Sequence, residues 1–237
     1  MQSFIRRLIK PILLRVFPQS FLSEMATEWH FYTVRRRLPE LRRQFADKHD
    51  LLVNFGTGGA GRDGWVNVDG FPAPGVNCLL DGRGPMPFAN ESVRGFYSEH
   101  FFEHLGYPQE AEAFLRECHR VMKKGAVLRL IVPDAELYLR AYCEPGWNAL
   151  AAVRPLDDAR HDPYGRSYET RMELINEVFR QGVEHKFAYD YDTLEHLLRR
   201  CGFEFVTRSR FGESQDAALV LDMPHRQSES LYVEARR

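Results

Sequence analysis

The sequence predicts a doubly wound α/β fold built on a mostly parallel sheet, and three observations carry that prediction. Short apolar runs at 51–55, 65–69, 76–80, 93–98 and 127–132 have the length and the bounding turn residues of buried strands. Between the last two runs, residues 109–122 keep a helical period through Ala113, Phe114, Leu115, Cys118, Val121 and Met122, and strand, helix, strand is a parallel-sheet unit. Finally, the glycine-rich turn Gly56-Thr57-Gly58-Gly59-Ala60-Gly61 directly follows the first run. In an open α/β sheet that is the carboxyl end of a strand, where ligands gather.

The elements follow in order along 237 residues, 44% of them hydrophobic, enough for one sizeable core. Residues 4–17 repeat apolar side chains at helical spacing (Phe4, Ile5, Leu8, Ile9, Ile12, Leu13, Val16, Phe17) with Arg6, Arg7, Lys10 and Arg15 between them, which is a basic amphipathic helix interrupted by Pro11. Such a helix either packs on its own domain or lies on a membrane surface. A second helical stretch, 22–47, carries Arg35-Arg36-Arg37 and Arg42-Arg43 and is expected to break or kink near Pro39. Residues 1–48 therefore read as an N-terminal helical extension and 49–237 as the main domain. Lys123-Lys124-Gly125 reads as a helix stop. Late in the chain, 193–201 reads as a helix capped by Asp192 or Thr193 with Glu195 in its first turn, and 203–208 and 217–221 as two strands. The segment at about 135–189 fits neither period and is rich in aromatic residues, proline and charge, so it is expected to be a lid inserted over the site.

Composition narrows the function classes. Acidic and basic residues balance, 33 against 32, so no global field favours a nucleic acid. No run approaches the length of a membrane span. Cys78, Cys118, Cys143 and Cys201 are far apart and form no Cys-x-x-Cys pair, which argues against a zinc site or disulfide framework and fits a reducing cytoplasm.

The glycine turn satisfies the G-x-G-x-x-G pattern, yet a dinucleotide site needs a full helix after the loop and an acidic residue about 20 positions on. Only Arg62, Asp63 and Gly64 separate the last glycine from the second strand, and Asp69 arrives early. A ligand without a pyrophosphate fits better. Glycines let backbone approach a nucleoside with an amino-acid tail, Asp69 at the end of the second strand accepts from two ribose hydroxyls, and Asp81 at the end of the third approaches an adenine amino group. For either aspartate alone, beside Gly70 or Gly82, a plain turn-forming role is the default. Two at successive strand ends favour the ligand.

The order Asn54-Phe55-Gly56-Thr57-Gly58, Gly64-Trp65-Val66-Asn67-Val68-Asp69, Met86-Pro87-Phe88-Ala89-Asn90-Glu91-Ser92-Val93, Tyr97-Ser98-Glu99-His100-Phe101-Phe102-Glu103-His104-Leu105, Arg120-Val121-Met122-Lys123-Lys124-Gly125-Ala126 and Ile131-Val132-Pro133-Asp134 resembles class I S-adenosylmethionine-dependent methyltransferases of the type 11 group. The resemblance resumes at 185–203, and the tail Glu229-Ser230-Leu231-Tyr232-Val233-Glu234-Ala235 looks like the ending of bacterial members associated with surface-polysaccharide genes. It implies a seven-stranded Rossmann-like methyltransferase sheet and S-adenosylmethionine as cofactor. By the same resemblance Asn54, Gly56, Thr57, Gly58, Asp69 and Asp81 would line the cofactor, and Glu99 and His100 would edge the reaction centre. Thr57 stands where the group usually has cysteine, and Lys124 and Ala126 depart from its Pro-Gly-Gly. A catalytically degenerate scaffold and an NAD-dependent oxidoreductase are the competing readings.

Methyl transfer from a sulfonium is an in-line displacement that needs an aligned acceptor, exclusion of water and a base for a hydroxyl acceptor. His100, His104, His161 and His185 are the candidate bases, with His100 placed just past the fourth strand. Glu99, His100, Glu103 and His104 lack a third ligand of clear spacing, so no metal is expected. Tyr138, Tyr142, Trp147, Tyr164 and Tyr168 of the lid are candidates to stack on a sugar or aromatic acceptor, and Arg154, Arg160, Arg166 and Arg171 to meet an anionic one. The acceptor is expected to be a small molecule, a glycan or a lipid-linked saccharide. Residues 4–17 would then bring the enzyme to the inner membrane surface.

Overall fold

A computed structural model describes residues 16–237, so most of the amphipathic segment read at 4–17 lies outside the described residues. The chain forms α1 (Gln19–Arg35) and α2 (Leu38–Phe45), then β1 (Leu51–Phe55), β2 (Val66–Asp69), β3 (Cys78–Leu79), β4 (Val93–Glu99), α3 (Gln109–Val121) and β5 (Met122–Pro133). Next, in the segment expected to form a lid, come helices α4 (Ala135–Cys143), α5 (Asn148–Val153) and α6 (Arg171–Arg180), and finally α7 (Tyr191–Arg200), β6 (Glu204–Arg208) and β7 (Ser230–Arg236). The seven strands order as β3-β2-β1-β4-β5-β7-β6, with β7 antiparallel to both its neighbours and the pairings among β1 to β5 parallel. Strand order reverses between β1 and β4, the switch point of a doubly wound sheet.

Alternation along the central strands divides the sheet into two faces. Phe55, Phe96, Leu128 and Leu130 bury against Leu41 and Phe45 of α2, Phe114 and Cys118 of α3, and Leu194 and Leu197 of α7. On the other face Tyr97, Val127, Ile131 and Tyr232 pack under Leu219 and Phe211. The segment 135–189 buries Tyr138, Leu150, Tyr168, Leu174 and Val178 in a small core of its own. A capping box between Thr170 and Glu173 starts α6, and Asp134 and Asp190 cap α4 and α7. Asp190, rather than Asp192 or Thr193, thus begins the helix read at 193–201.

The break expected near Pro39 is present, and two further expectations are corrected. The long N-terminal helix breaks at Arg36 and Arg37, and Pro39 sits in the first turn of α2, where its missing N–H leaves no bond unmade. Lys123-Lys124-Gly125 is not a helix stop: Met122 is already extended and belongs to β5, and Gly125, at φ +77°, donates its N–H to the carbonyl of Arg237. Residues 217–221 are not a strand. Ala217–Leu219 is a 3₁₀ turn capped by Asp216, and the place beside β5 is taken by β7.

The parallel β1–β2 connection closes without a helix, by side chains. Asn67 accepts the Arg62 N–H (2.9 Å) and donates to the Arg62 carbonyl (2.8 Å), while Asn77 accepts the Asn67 N–H (2.9 Å) and donates to the Trp65 carbonyl (2.8 Å). Gly61 and Gly75 meet so closely that a Cβ on Gly61 would lie 2.6 Å from the Gly75 carbonyl oxygen. Asn67→Ala is expected to lower stability by about 1–3 kcal/mol, because the Arg62 N–H and carbonyl lose the buried amide that pairs them. Urea unfolding measures it, and a loss under about 0.5 kcal/mol, the range of an ordinary surface change, would mean the loop holds without this brace.

Candidate active site

At the carboxyl end of β1 the N–H groups of Gly56 and Thr57 both donate to the Val68 carbonyl (2.9 and 3.1 Å), which ties the glycine loop to β2. Buried Asn54 donates to the Thr57 hydroxyl (2.8 Å), so both polar side chains brace the loop from within. The glycines differ in what they require. Gly56, at φ +76°, has no room for a Cβ, which would lie 2.4 Å from Phe101 Cβ. Gly58, at φ +51°, has nothing within 4 Å of that position. Gly56 is therefore a packing glycine, and Gly58 leaves a cradle that a side chain would fill.

Asp69 closes the cradle. Its Oδ2 accepts the Gly58 N–H (2.8 Å) and its Oδ1 the Phe71 N–H (2.9 Å), leaving each oxygen a further lone pair. Open backbone at Gly58 beside a fixed carboxylate fits the diol of a nucleoside.

Asp81 departs from the expected role. It is 2% exposed, and its oxygens accept from Arg83 Nε (3.0 Å), Arg83 Nη2 (3.1 Å), the Arg83 N–H (3.1 Å) and Arg35 Nη1. Burial acts to raise its pKa, but the Arg83 bonds and charge outweigh it and hold the carboxyl below its usual range. Arg83 also reaches Glu28 (2.6 Å) and stacks on Phe31, so the aspartate expected beside adenine fastens α1 to the domain. His30 adds a bond to the Gly70 carbonyl (2.7 Å) and lies on the Phe71 ring. Helix α1 thereby covers the ends of β2 and β3 next to Asp69.

Past β4 the chain turns through His100 at φ +51°, unusual for a residue with a side chain, held by its N–H to the Ile131 carbonyl (2.8 Å). Its ring nitrogens face Ser230 Oγ (2.8 Å) and Glu103 Oε1 (3.5 Å). Burial first, and Arg226 second, push its pKa well below the ordinary value, so the imidazole is neutral. Glu99 points to the other face, accepting from the Tyr97 hydroxyl (2.6 Å) and the Met223 N–H (3.2 Å), and burial raises its pKa. Glu103 and His104 occupy a 3₁₀ turn, Phe102–His104, and His185 reaches them from the end of the lid. His161 lies apart, exposed and paired with Asp157.

The lid side chains are mostly spoken for. Tyr138 and Tyr168 are buried and donate to Glu229 and Asp162 (both 2.7 Å), so neither stacks on an acceptor. Arg154, also buried, binds Asp162 (2.7 Å) and Glu229 (3.1 Å). Arg166 pairs with Glu177 (2.9 Å), Arg160 lies on Trp147 (5.2 Å), and Arg171 lies on Tyr142 (4.9 Å) and donates to carbonyls at the end of α4. Of the proposed stacking residues, Tyr164 retains the most open ring.

Residues 73–130 match the family model described as a methyltransferase domain. No curated protein matches the chain. Among solved structures, it is similar to a SAM-dependent methyltransferase from Archaeoglobus fulgidus (15% identity, 92% of this chain and 100% of that one, TM-score 0.44). It is also similar to the 1,6-didemethyltoxoflavin-N1-methyltransferase of Burkholderia thailandensis, solved with its substrate and S-adenosylhomocysteine (13% identity, 98% of this chain and 89% of that one, TM-score 0.42). The matched segment begins after β2 and runs through β3, β4 and α3 into β5. Over residues 73–130 the chain is similar to the methyltransferase domain family.

Proposed function

We propose that the chain methylates an oxygen-bearing acceptor, a glycan or lipid-linked saccharide, with cofactor held at Gly58 and Asp69. The observation that carries the binding site is the open face of Gly58 fixed against the Asp69 carboxylate. Bound there, S-adenosylmethionine supplies an electrophilic methyl group. The chain's residues do the rest: Asp69 accepts from the ribose hydroxyls, Gly58 leaves room for the ligand, and neutral His100 takes the proton that an acceptor hydroxyl loses. Glu99 acts at one remove, because its bond to Met223 holds the segment that sets Ser230 against His100. Asn54 and Thr57 shape the loop, and Asp81 acts through α1.

Two further observations bear on location. Phe21, Met25 and Trp29 recur every fourth residue on an exposed face of α1, with exposed Phe17 just ahead of it and Trp29 68% exposed, and Arg35, Arg36 and Arg37 follow. That stripe favours contact with an anionic lipid surface. All four cysteines are free and three are buried, in keeping with a reducing compartment. Among the described residues no helix is long and apolar enough to cross a membrane.

Calorimetric titration with S-adenosylhomocysteine and NAD is the direct test. The first is expected to bind and the second not; binding of NAD alone would overturn the cofactor assignment. Asp69→Ala is expected to weaken S-adenosylhomocysteine by about 1.5–3 kcal/mol for each charged bond lost, with the fold retained by circular dichroism. Unchanged affinity would take Asp69 out of the site.

A further inference from the structure

The 3₁₀ turn after β4 and the end of the lid bring together groups that the sequence places far apart. Glu103 is 1% exposed, and neither of its carboxylate oxygens has a hydrogen-bond partner. Buried carboxylates without partners are rare, and an ion or ordered water is the usual reason for one. Around it stand His100, whose Nδ1 is 3.5 Å from Glu103 Oε1 but outside hydrogen-bond geometry, His185, with Nε2 3.9 Å from the same oxygen, and His104, whose ring meets that of His185 edge to face. One ligand atom from each of Glu103, His104 and His185 falls within 4.8 Å of the others.

We propose that Glu103, His104 and His185 bind one divalent transition-metal ion of the zinc, manganese or iron(II) class. A carboxylate with two imidazoles is a ligand set for those ions, and three protein ligands leave coordination positions open to water or an oxygen-bearing ligand. The site is prepared in two ways. His185 Nδ1 lies 2.7 Å from the Val178 carbonyl, so Nδ1 carries the proton and Nε2 presents its lone pair toward Glu103. The Lys186 and Phe187 N–H groups both donate to the Glu103 carbonyl (2.8 and 3.3 Å), which pins the histidine-bearing segment to the carboxylate-bearing turn. A cavity of about 10 Å³ borders Glu103 and His185, roughly the space of one water or ion. Zinc ligands at about 2.0–2.2 Å from one centre lie about 3.5 Å apart in a tetrahedral set, so ligand atoms now within 4.8 Å of one another need to close by up to about 1.3 Å. Arg226 acts on Glu103 through space and makes no hydrogen bond to it. This proposal stands whether or not methyl transfer is the activity.

The test uses the full chain in a Cys143→Ser background, since Cys143 is an exposed thiol. Chelator-treated protein is titrated calorimetrically with zinc chloride and, separately, manganese chloride, without cofactor, and its metal content is measured after dialysis. One equivalent is expected for at least one of the two metals. Glu103→Gln and His185→Gln are each expected to weaken it at least about tenfold, while His49→Gln, outside the cluster, leaves it unchanged. The bound metal is also expected to raise the melting temperature of the parent and not of Glu103→Gln, which reads the site even where His185→Gln folds poorly. Failure of both metals to bind, or equal affinity in Glu103→Gln, overturns the proposal and leaves Glu103 as a buried protonated carboxyl or a water ligand.

Discussion

Replacement of Arg129 by alanine is expected to destabilise the protein by about 3–5 kcal/mol, the range for removing one partner of a buried ion pair. Arg129 lies in β5 with no exposed surface, between Asp222 (Nη2 to Oδ2 2.6 Å, Nε to Oδ1 2.8 Å) and Glu234 (Nη1 to Oε1 3.0 Å). Its remaining hydrogen-bonding capacity goes to the carbonyls of Arg210 (2.9 Å) and Glu213 (2.7 Å) and to Ser209 Oγ (3.2 Å). One guanidinium therefore organises the loop from Ser209 to Asp222 over the sheet. Without it, two carboxylates and two carbonyls lose buried partners, and a cavity opens beneath Tyr232. In a chain of this length, each kcal/mol corresponds to a melting shift of about 2–4 °C, so a fall of roughly 6–20 °C is expected in a thermal scan. Arg129→Met combined with Asp222→Asn and Glu234→Gln is expected to recover much of the loss, because no charge is then left unpaired. A single-variant loss below about 1 kcal/mol would show that the network contributes little.

The same network explains why the late part of the chain was hard to read from sequence. Val127 to Val132 reads as a buried strand despite the charge at Arg129, and that reading holds, but the partners of Arg129 lie 80 to 105 positions away. The apolar run 217–221 has strand composition, yet Asp216 caps it as a 3₁₀ turn and Leu219 fills the space above Gly95. Long-range pairing with β5 goes to 230–236 instead, and a five-residue apolar run carries no signal of which segment wins that place. By contrast, β1, β2, β4 and α3 were legible because their apolar periodicity is local, and the glycine loop because φ above zero selects residue type directly. The roles within the site were less so. Gly56 and Gly58 look alike in sequence and differ only in whether Phe101 or open space lies beyond them. Asp69 and Asp81 likewise end successive strands, and only the placement of Arg35 and Arg83 separates a free carboxylate from a committed one. His185 was legible as a histidine worth noting; its convergence with Glu103 and His104 depends on how the lid returns to the sheet.

Gly58→Val is expected to abolish cofactor binding while leaving the fold intact, and Gly56→Ala to do the reverse in order of cause. At Gly58 a branched side chain enters the open face where the ligand is proposed to lie, and no protein atom within 4 Å resists it. The backbone conformation at φ +51° adds a strain of about 1–2 kcal/mol for any residue with a Cβ, small beside the stability of a domain. Affinity for S-adenosylhomocysteine is expected to fall at least about a hundredfold, some 2.8 kcal/mol, with the circular dichroism spectrum unchanged. At Gly56 the added Cβ meets Phe101 at 2.4 Å, so Phe101 must leave its contacts with Phe55 and Phe114 before the chain closes. Overpacking of that kind costs about 1–3 kcal/mol, with the positive φ adding to it, and is expected to show first as a lower melting temperature. Measuring both variants by calorimetry and thermal unfolding separates the two roles. If Gly58→Val folds and binds S-adenosylhomocysteine with parental affinity, the ligand does not lie on that face, and the pairing of Gly58 with Asp69 is a structural clasp alone.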